Sequence, residues 1–280
     1  KTTKKSSKKT TLKSSSFKKF VYLIKNMKPP NIEDFFSFRN SLNTISEEDQ
    51  KQAINYLQSI DAFARTTYKS LYVIDYKDRG FDYVSDNPLF LCGNTADQVK
   101  EMGYAFYFKH VIASDLQLLL KINTVGFEFY DRVPVEDRKD YTISYDFHLI
   151  NKKGEKTLIN HKMTPLFLTK EGKLWKAMAI ISLSSEKESG NINVYKRGDN
   201  KVFKYDLDGE FWKESDLIKL TSREVEILQY STRGYTINEV ANAIFVSPDT
   251  VKFHRKKLFE KLEVTNISEA IAYATNNKLI

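Results

Sequence analysis

The segment SPDTVKFHRKKLFEKL, residues 247–262, decides the organisation of this chain. Its Ser-Pro-Asp opening is typical of a helix start, with Ser as the N-cap, Pro at the first helical position and an acid in the first turn. At 100° per residue, Val251, Leu258 and Leu262 fall within about 40° of one another and predict the buried stripe of a helix over 248–262. The opposite face holds Asp249, Lys252, Phe253, Lys256 and Glu260.

Three other helix starts surround this segment. Thr221-Ser-Arg-Glu224 and Thr236-Ile-Asn-Glu239 are capping boxes, and Asn266-Ile-Ser-Glu269 is a close variant. They predict an all-α unit over 217–280 with four helices, at about 222–232, 237–244, 248–262 and 267–276. A short helix, a three-residue turn and a longer helix form a helix-turn-helix motif at about 237–256.

The outward face of the third helix suits a DNA groove. Lys252 and Lys256 are four residues apart, and His254 and Arg255 flank the buried stripe. Such a face fits a major groove between two rows of phosphates. A charged helix face is more often simply solvated, so this pattern alone leaves DNA contact open.

The complete string resembles the LuxR-type (GerE/NarL-like) DNA-binding domain over about 60 residues. The similarity is carried by Leu220-Thr-x-Arg-Glu-x-Glu-Ile-Leu228, Gly234-x-Thr-x-x-Glu-Val-Ala241, Ile244-x-Val-Ser-x-x-Thr-Val-Lys-x-His254 and Lys261-Leu-x-Val264. Glu263 and Asn266 depart from the common residues at the junction of helices three and four, which affects the expected dimer geometry more than DNA binding.

The resemblance implies roles for individual residues. The third helix would enter the major groove, with Lys252, Phe253 and Lys256 at base edges. Positions near the DNA backbone would be Ser247, Thr250, His254 and Arg255. The fourth helix, with Ala270, Ile271 and Ala274, would pair two protomers on a two-fold symmetric site.

The middle of the chain alternates apolar and polar residues and predicts an antiparallel sheet. Strands are expected on both sides of a helical stretch over 95–130, at 70–76, 81–84, 141–149, 156–168 and 174–183. An α+β unit over 68–184, with a five-stranded antiparallel sheet and helices, resembles the PAS sensor domain. A GAF domain or an autoinducer-binding domain would share much of this order, although the Trp-x-Tyr…Asp signature of autoinducer pockets is missing.

Aromatic side chains of the PAS-like unit are candidates for a ligand pocket or for an aromatic core, and a core is the simpler interpretation for most of them. The candidates for pocket residues are Tyr104, Phe108, Phe147, His161 and Trp175. His161 shares strand parity with Ile159 and Met163, so its side chain is expected to point inward.

The remaining segments are expected to connect and flank these units. Residues 1–16 are a Lys/Ser/Thr-rich leader predicted to be disordered, either solvated or in contact with nucleic-acid phosphates. N-terminal helices are expected within 17–67, at 32–42 and 47–66, and their apolar stripes would pair two protomers or dock on their own domain. Residues 185–216 are predicted to be a linker with a small hairpin.

Composition excludes several classes of protein. The net charge of +8 equals the eight lysines of residues 1–20, which contain no acid. The single cysteine, Cys92, excludes an internal disulfide and fits a reducing cytoplasm. Apolar runs reach five residues, far short of the roughly 20 of a membrane span. No phosphate-binding glycine loop, metal motif or catalytic motif is present, so no motif requires a metal or a cofactor and no enzyme activity is expected.

The sequence therefore predicts a bacterial transcription regulator with a sensor domain that controls a LuxR-type helix-turn-helix. Expected partners are double-stranded DNA, a second protomer in a homodimer and a candidate small-molecule ligand of the sensor. The expected location is the cytoplasm, at the nucleoid when bound. The alternative is a ligand- or partner-binding sensor whose helix-turn-helix serves protein interaction.

Overall fold

The computed structural model describes residues 29–67, 69–277 and 279–280, and the chain divides into two units between Ser215 and Asp216. The leader predicted over 1–16 and the predicted N-terminal region up to residue 28 lie outside the described residues. Within those described ranges, no helix combines the length and the apolar composition needed to cross a membrane.

The first unit is built on one eight-stranded sheet with the strand order β2-β1-β5-β4-β3-β6-β7-β8. The strands are β1 (Ser70–Asp75), β2 (Gly80–Val84), β3 (Tyr141–Ile150), β4 (Lys156–Leu168), β5 (Leu174–Leu183), β6 (Gly190–Lys196), β7 (Lys201–Asp206) and β8 (Phe211–Asp216). The order from β1 to β5 is two strands, then several helices, then three meandering strands. This is the PAS-like order that the sequence predicts.

The expected five-stranded sheet is wrong, because β6–β8 extend it. Strand β6 pairs with β3 in antiparallel register, with Ile143 opposite Val194. Ile192 and Val194 are buried, so β6 contributes side chains to the core as part of this sheet. The backbone of β3 would otherwise be an unpaired edge. Residues 185–216 are therefore an integral part of the sheet and not a linker with an isolated hairpin.

Helices and short 3₁₀ turns surround the sheet. The helices are α1 (Glu47–Gln52), α2 (Tyr56–Thr66), α3 (Pro88–Leu91), α4 (Ala96–Met102), α5 (Ala105–His110) and α6 (Ala113–Asp131), and the 3₁₀ turns are Ile32–Phe35 and Val135–Asp140. The single helix predicted over 47–66 is broken where Asn55 takes a left-handed φ of 60°. The helix predicted over 32–42 is also wrong: the short turn ends at Phe36, whose backbone is extended.

The core of the first unit is aromatic. Phe35 of the N-terminal 3₁₀ turn lies 5.5 Å from the Tyr104 ring and 5.8 Å from the Tyr107 ring. The Tyr72 ring of β1 stacks on Phe90 at 4.4 Å. These rings pack between the sheet and the helices that link β2 to β3.

The second unit contains α7 (Ser222–Thr232), α8 (Ile237–Ala243), α9 (Pro248–Leu262) and α10 (Ile267–Asn276). Each of these helices begins with a side-chain cap. The cap oxygens accept hydrogen bonds from the backbone amides of Glu224, Glu239, Thr250 and Glu269. Val251, Leu258 and Leu262 of α9 are buried, as the 100° periodicity predicts. Val251 packs with Ile227 and Val240, and Leu258 and Leu262 pack with Leu228, so both ends of α9 are anchored in the core.

Candidate nucleic-acid interface and internal cavity

The start of α9 is held by hydroxyl groups. The Thr250 amide donates to Ser247 Oγ at 3.1 Å, and the two hydroxyl oxygens lie 2.9 Å apart. Ser247 is exposed and Thr250 is half-buried. These two residues therefore sit at the exposed end of α9, where the sequence predicts contact with the DNA backbone.

The outward face of α9 brings three predicted base-reading residues together. Lys252 and Lys256 are exposed, and Phe253 has 53% of its surface exposed. Lys252 Nζ lies 3.0 Å from Asp249 Oδ1, so this cation has an acidic partner on the same face. Lys257, which is not among the predicted DNA contacts, places its Nζ 4.4 Å from the Phe253 ring centroid. Lys257 lies at the margin of the outward face of α9, so the helical periodicity alone does not place it there. Its charge and exposure make it part of the cationic face.

The flanks of α9 are less exposed than its outward face. The His254 ring is half-buried, 5.6 Å from the Phe253 ring. Arg255 Cζ lies 5.7 Å from the Phe259 ring, and burial lowers the pKa of this guanidinium without discharging it near neutral pH. Arg255 lines an open groove together with Lys252, Lys256, Phe259 and Ile237 of α8. The lining also includes Glu260 and Glu263, so the groove carries both signs of charge where it extends toward α8.

A partly buried ion pair anchors the far end of α9. Lys261 Nζ lies 2.5 Å from the Glu224 carboxylate, which also accepts from the Thr221 amide at 2.8 Å. Burial opposes ionisation of Glu224, but the Lys261 ammonium and the Thr221 amide outweigh it and lower the pKa. The carboxylate is thus both the helix cap of α7 and a brace for α9.

Two of the three predicted dimerisation residues are core residues of their own domain. Ala270 and Ala274 are fully buried and pack with Leu228, Leu258 and Leu262. Their methyl groups hold α10 against α7 and α9, so they are not available to a second protomer. Ile271 is half-buried on the same cluster, and its neighbour Ala272 is exposed. Protomer pairing through α10 stays a prediction for Ile271 alone among the three.

An internal cavity lies in the PAS-like unit between the sheet and α6. Its volume is about 90 Å³, several times the roughly 10–15 Å³ that one water needs. Its lining residues are uncharged and mostly aromatic or aliphatic: Phe35, Ile74, Tyr76, Tyr104, Tyr107, Leu119, Ile122, Asn123, Gly126, Phe127, Phe129, Tyr130, Tyr141, Ile143, Tyr145, Met163, Thr164, Pro165, Leu174, Ala177 and Val194.

The predicted pocket residues divide between this cavity and its surroundings. Tyr104 lines the cavity, whereas Phe108, Phe147, His161 and Trp175 do not. Phe147 is fully buried, and Phe108 packs against the core, with its ring 5.9 Å from Phe35. Trp175 lies 5.8 Å from the Phe167 ring, in contact with the Lys176 ammonium. Parity along the strands identifies inward side chains, but it does not show where packing leaves a space.

His161 lies behind the cavity wall, in a chain of hydrogen bonds. Its Nε2 is 2.5 Å from the Tyr72 hydroxyl, which is 2.5 Å from the Tyr107 hydroxyl, and Tyr107 lines the cavity. Burial lowers the pKa of His161 to about 3, so its imidazole is neutral at physiological pH. The chain supports the cavity wall and presents no charge to it.

Three tyrosine hydroxyls at the cavity have no hydrogen-bond partner within the described part of the chain. The Tyr130 oxygen is buried and unpaired, and no bond is formed by the hydroxyls of Tyr104 or Tyr145. Burial raises the pKa of all three phenols, so each keeps its proton and can donate. Tyr130 and Tyr145 were not among the predicted pocket residues.

Asp115, His148 and Ser189 meet in the first unit, but they are not arranged for nucleophilic catalysis. Ser189 Oγ donates to Asp115 Oδ2 at 2.5 Å, and both oxygens lie 2.9 Å from His148 Nδ1. In a catalytic triad the serine and the carboxylate bond opposite ring nitrogens. Here the cluster fastens the segment before β6 to α6 and β3.

The family model for bacterial regulatory proteins of the luxR family, GerE, matches residues 219–274. A probable csgAB operon transcriptional regulatory protein of Salmonella typhimurium is 43% identical over 58 residues, which are 21% of this chain and 27% of that protein. The response regulator protein VraR of Staphylococcus aureus is 41% identical over 61 residues, 22% of this chain and 29% of that protein. The chain therefore spans between a quarter and a third of the length of these curated relatives.

Solved structures are less similar. The Vibrio cholerae VqmA dimer in the absence of target DNA is 16% identical, with 80% of this chain and 88% of that chain covered and a TM-score of 0.31. A score of that size does not establish a shared fold.

The second unit is a helix-turn-helix domain by its order of helices and by its buried and exposed faces. Residues 219–274 are a LuxR-type (GerE) helix-turn-helix domain, and they follow the unit with the eight-stranded sheet in the chain.

Proposed function

We propose that this chain is a bacterial transcription regulator that binds double-stranded DNA through α9 and is controlled by its PAS-like unit. The observation that carries the proposal is the outward face of α9, on which Lys252, Phe253, Lys256 and Lys257 are all exposed. The same helix is buried along Val251, Leu258 and Leu262, so the cationic face is fixed in direction.

The contacts follow from this geometry. Lys252, Phe253 and Lys256 would meet base edges in the major groove, where Phe253 offers an apolar contact such as one to a thymine methyl. Ser247, Thr250, His254 and Arg255 would lie at the sugar-phosphate backbone. A homodimer would place two α9 helices about one DNA turn apart. The proposed location is the cytoplasm, and no catalytic role is assigned.

The cavity supports a small-molecule signal for the sensor. Its lining carries no charged side chain that could pair with a charged ligand, and burying an unpaired charge is strongly unfavourable. The unpaired hydroxyls of Tyr104, Tyr130 and Tyr145 would instead donate to acceptor atoms of an uncharged molecule.

The signal has a continuous route along the chain to the DNA-binding domain. Val194 of β6 lines the cavity, and β6–β8 lead directly into the second unit at Asp216. A ligand that changes the position of β6 would therefore act on the segment that joins the two units.

The DNA contact is tested with the full chain and its Lys252→Ala/Lys256→Ala variant. We expect the variant to remain folded, since both side chains are exposed, and to lose specific binding in gel shifts with operator DNA. Operator DNA would first be selected from random duplexes with the wild-type protein. Unchanged affinity of the double variant would refute the proposed role of α9.

The alternative function, protein interaction by the helix-turn-helix, has a distinct signature. Phosphate contacts release counterions, so the logarithm of the DNA association constant should fall steeply with the logarithm of salt concentration. A shallow salt dependence, with tight binding to a protein partner, would favour the alternative. Native mass spectrometry of the purified chain would report a bound ligand and the number of protomers together.

A further inference from the structure

Phe245 lies in the turn between α8 and α9 and is exposed to an unusual degree. The side chain is 94% exposed, more than any other large apolar side chain in the described ranges. Its backbone is left-handed, with a φ of 55°. No ring or cation contact to Phe245 occurs among the described residues. The ring therefore contributes almost no burial to the fold.

The left-handed backbone conformation is unfavourable for a phenylalanine at this position. A left-handed residue other than Gly, Asn or Asp is unfavourable because its Cβ crowds the following carbonyl oxygen. Residues strained in this way persist where the surrounding structure fixes their conformation, and they cluster at functional sites. Neither the turn nor the core explains why an aromatic residue occupies the position.

The turn around Phe245 is firmly anchored, so the ring is held in one place. Ile244 and Val246 pack into the core with Val240 and Val251. The Val246 amide donates to the Ala241 carbonyl at 3.0 Å, and Arg223 Nη1 donates to the Ile244 carbonyl at 3.3 Å. With both neighbours pointing inward, the Phe245 side chain projects into solvent.

Phe245 is also close in sequence to the end of α9 that the proposed function places at DNA. Ser247, the N-cap of α9, follows two residues later. We propose that the Phe245 ring packs on a deoxyribose of the DNA backbone next to the phosphate contacted by Ser247. A sugar offers an apolar surface in every nucleotide, so this contact is independent of sequence. This inference rests on the proposed function, because it requires that α9 bind duplex DNA.

An apolar contact and a phosphate contact differ in their response to salt. A phenyl ring releases no condensed counterions, so losing it should weaken binding equally at all salt concentrations. Losing a lysine that neutralises a phosphate should also make the salt dependence shallower by about one counterion. The slope therefore separates the two kinds of contact.

The test compares the full-length wild type with Phe245→Gly and Phe245→Asn, two residues that tolerate the left-handed backbone. Fluorescence anisotropy with a mixed-sequence duplex, long enough for two half-sites, gives the affinity at several KCl concentrations. We expect both variants to bind about 5- to 10-fold more weakly, as for partial burial of an aromatic ring. The salt slope should stay at its wild-type value, and the thermal midpoint should stay the same or rise, because Gly and Asn relieve the strain of the left-handed backbone. Phe211→Ala, which removes an exposed ring from β8, is the matched control and should not change affinity.

Several results would overturn the inference. Wild-type affinity in both Phe245 variants would show that the ring does not contact DNA. A shallower salt slope would indicate a lost phosphate contact, and a large drop in thermal midpoint would assign the ring a role in the fold. Reduced transcription with unchanged duplex affinity would point to a protein partner instead. If the wild type itself fails to bind duplexes, the proposed function fails first and this inference falls with it.

Discussion

Lys261 and Glu224 join the end of α9 to the beginning of α7 through a contact of 2.5 Å. The carboxylate is almost completely buried and also closes the capping box of α7 through the Thr221 amide. One side chain thus satisfies a helix terminus and fixes the orientation of α9. The direction of the cationic face depends on this brace at one end and on Val251 at the other.

Removing the carboxylate should destabilise the second unit. Glu224→Ala leaves the Lys261 ammonium without its buried partner and the Thr221 amide without its acceptor, and we expect a loss of about 2–4 kcal/mol in the free energy of unfolding. Urea unfolding of the full chain, followed by circular dichroism, measures this loss. Glu226→Ala is the matched control, since its exposed pair with Arg223 should change stability by less than about 0.5 kcal/mol. Equal effects of the two substitutions would contradict the bracing role.

Asp249 should restrain DNA binding through its contact with Lys252. The two side chains are 3.0 Å apart and exposed, and the acid faces the same direction as the lysines. Asp249→Asn removes a charge that repels phosphates and frees Lys252, so affinity for a mixed-sequence duplex should rise about 3- to 10-fold at low salt. Anisotropy titrations measure the rise, with Glu226→Gln as a control for overall charge. Weaker binding by Asp249→Asn would indicate that this acid contacts a base directly.

Most of the second unit could be predicted from the sequence, because the signals for its helices are local. Each helix start has a side-chain cap within three residues. The helical periodicity of α9 alone assigns Val251 to the buried face and Lys252 to the outward face. The buried state of Ala270 and Ala274 is different, because small apolar residues look alike whether they face a partner or their own core. Their burial is decided by Leu228 and Leu258, which come from other helices.

The first unit was less predictable where its structure depends on pairing between strands that are distant in the sequence. The alternation over Tyr141–Ile150 is local and identifies β3, whereas the pairing of β3 with β6 joins Ile143 to Val194 across about fifty residues of chain. A short alternating run such as β6 does not indicate its sheet. The cavity is a further long-range property: Tyr145 and Tyr130 line it because side chains from the sheet and α6 fail to fill the space between them.

Tyr145, which lines the cavity, and Tyr72, which lies behind its wall, should differ in their contribution to stability. The Tyr145 hydroxyl has no partner in the described chain, so Tyr145→Phe should leave the free energy of unfolding within about 0.5 kcal/mol of the wild type. The Tyr72 hydroxyl bonds both Tyr107 and His161, so Tyr72→Phe should cost about 1–3 kcal/mol. Chemical unfolding measures both. A similar loss in Tyr145→Phe would show that its hydroxyl is already satisfied in the folded protein, and it would weaken its proposed role in ligand binding.

Asp146 of β3 should make the stability of the first unit depend on pH. Burial raises the pKa of this carboxyl to about 6, although Asn160 and Ser184 donate to Oδ1 at 3.0 Å and 2.8 Å. The folded protein therefore binds this proton more tightly than the unfolded chain, in which an aspartate titrates near 3.9. Above pH 6 the buried charge lowers the free energy of unfolding, and the penalty disappears as the pH falls from about 6 to about 4.

Asp146→Asn should remove that penalty, because an amide oxygen can accept the same two hydrogen bonds without a charge. We expect the variant to be more stable than the wild type at pH 7.5, by up to about 3 kcal/mol, and the difference to vanish near pH 4. Urea unfolding at a series of pH values measures the difference directly. Asp78→Asn, at an exposed acid in the β1–β2 turn, controls for loss of charge alone and should give a small difference at every pH. A variant that is less stable than the wild type at pH 7.5 would mean that the ionised carboxylate holds Ser184 and Asn160 better than an amide does, and that the strands around β3 depend on its charge.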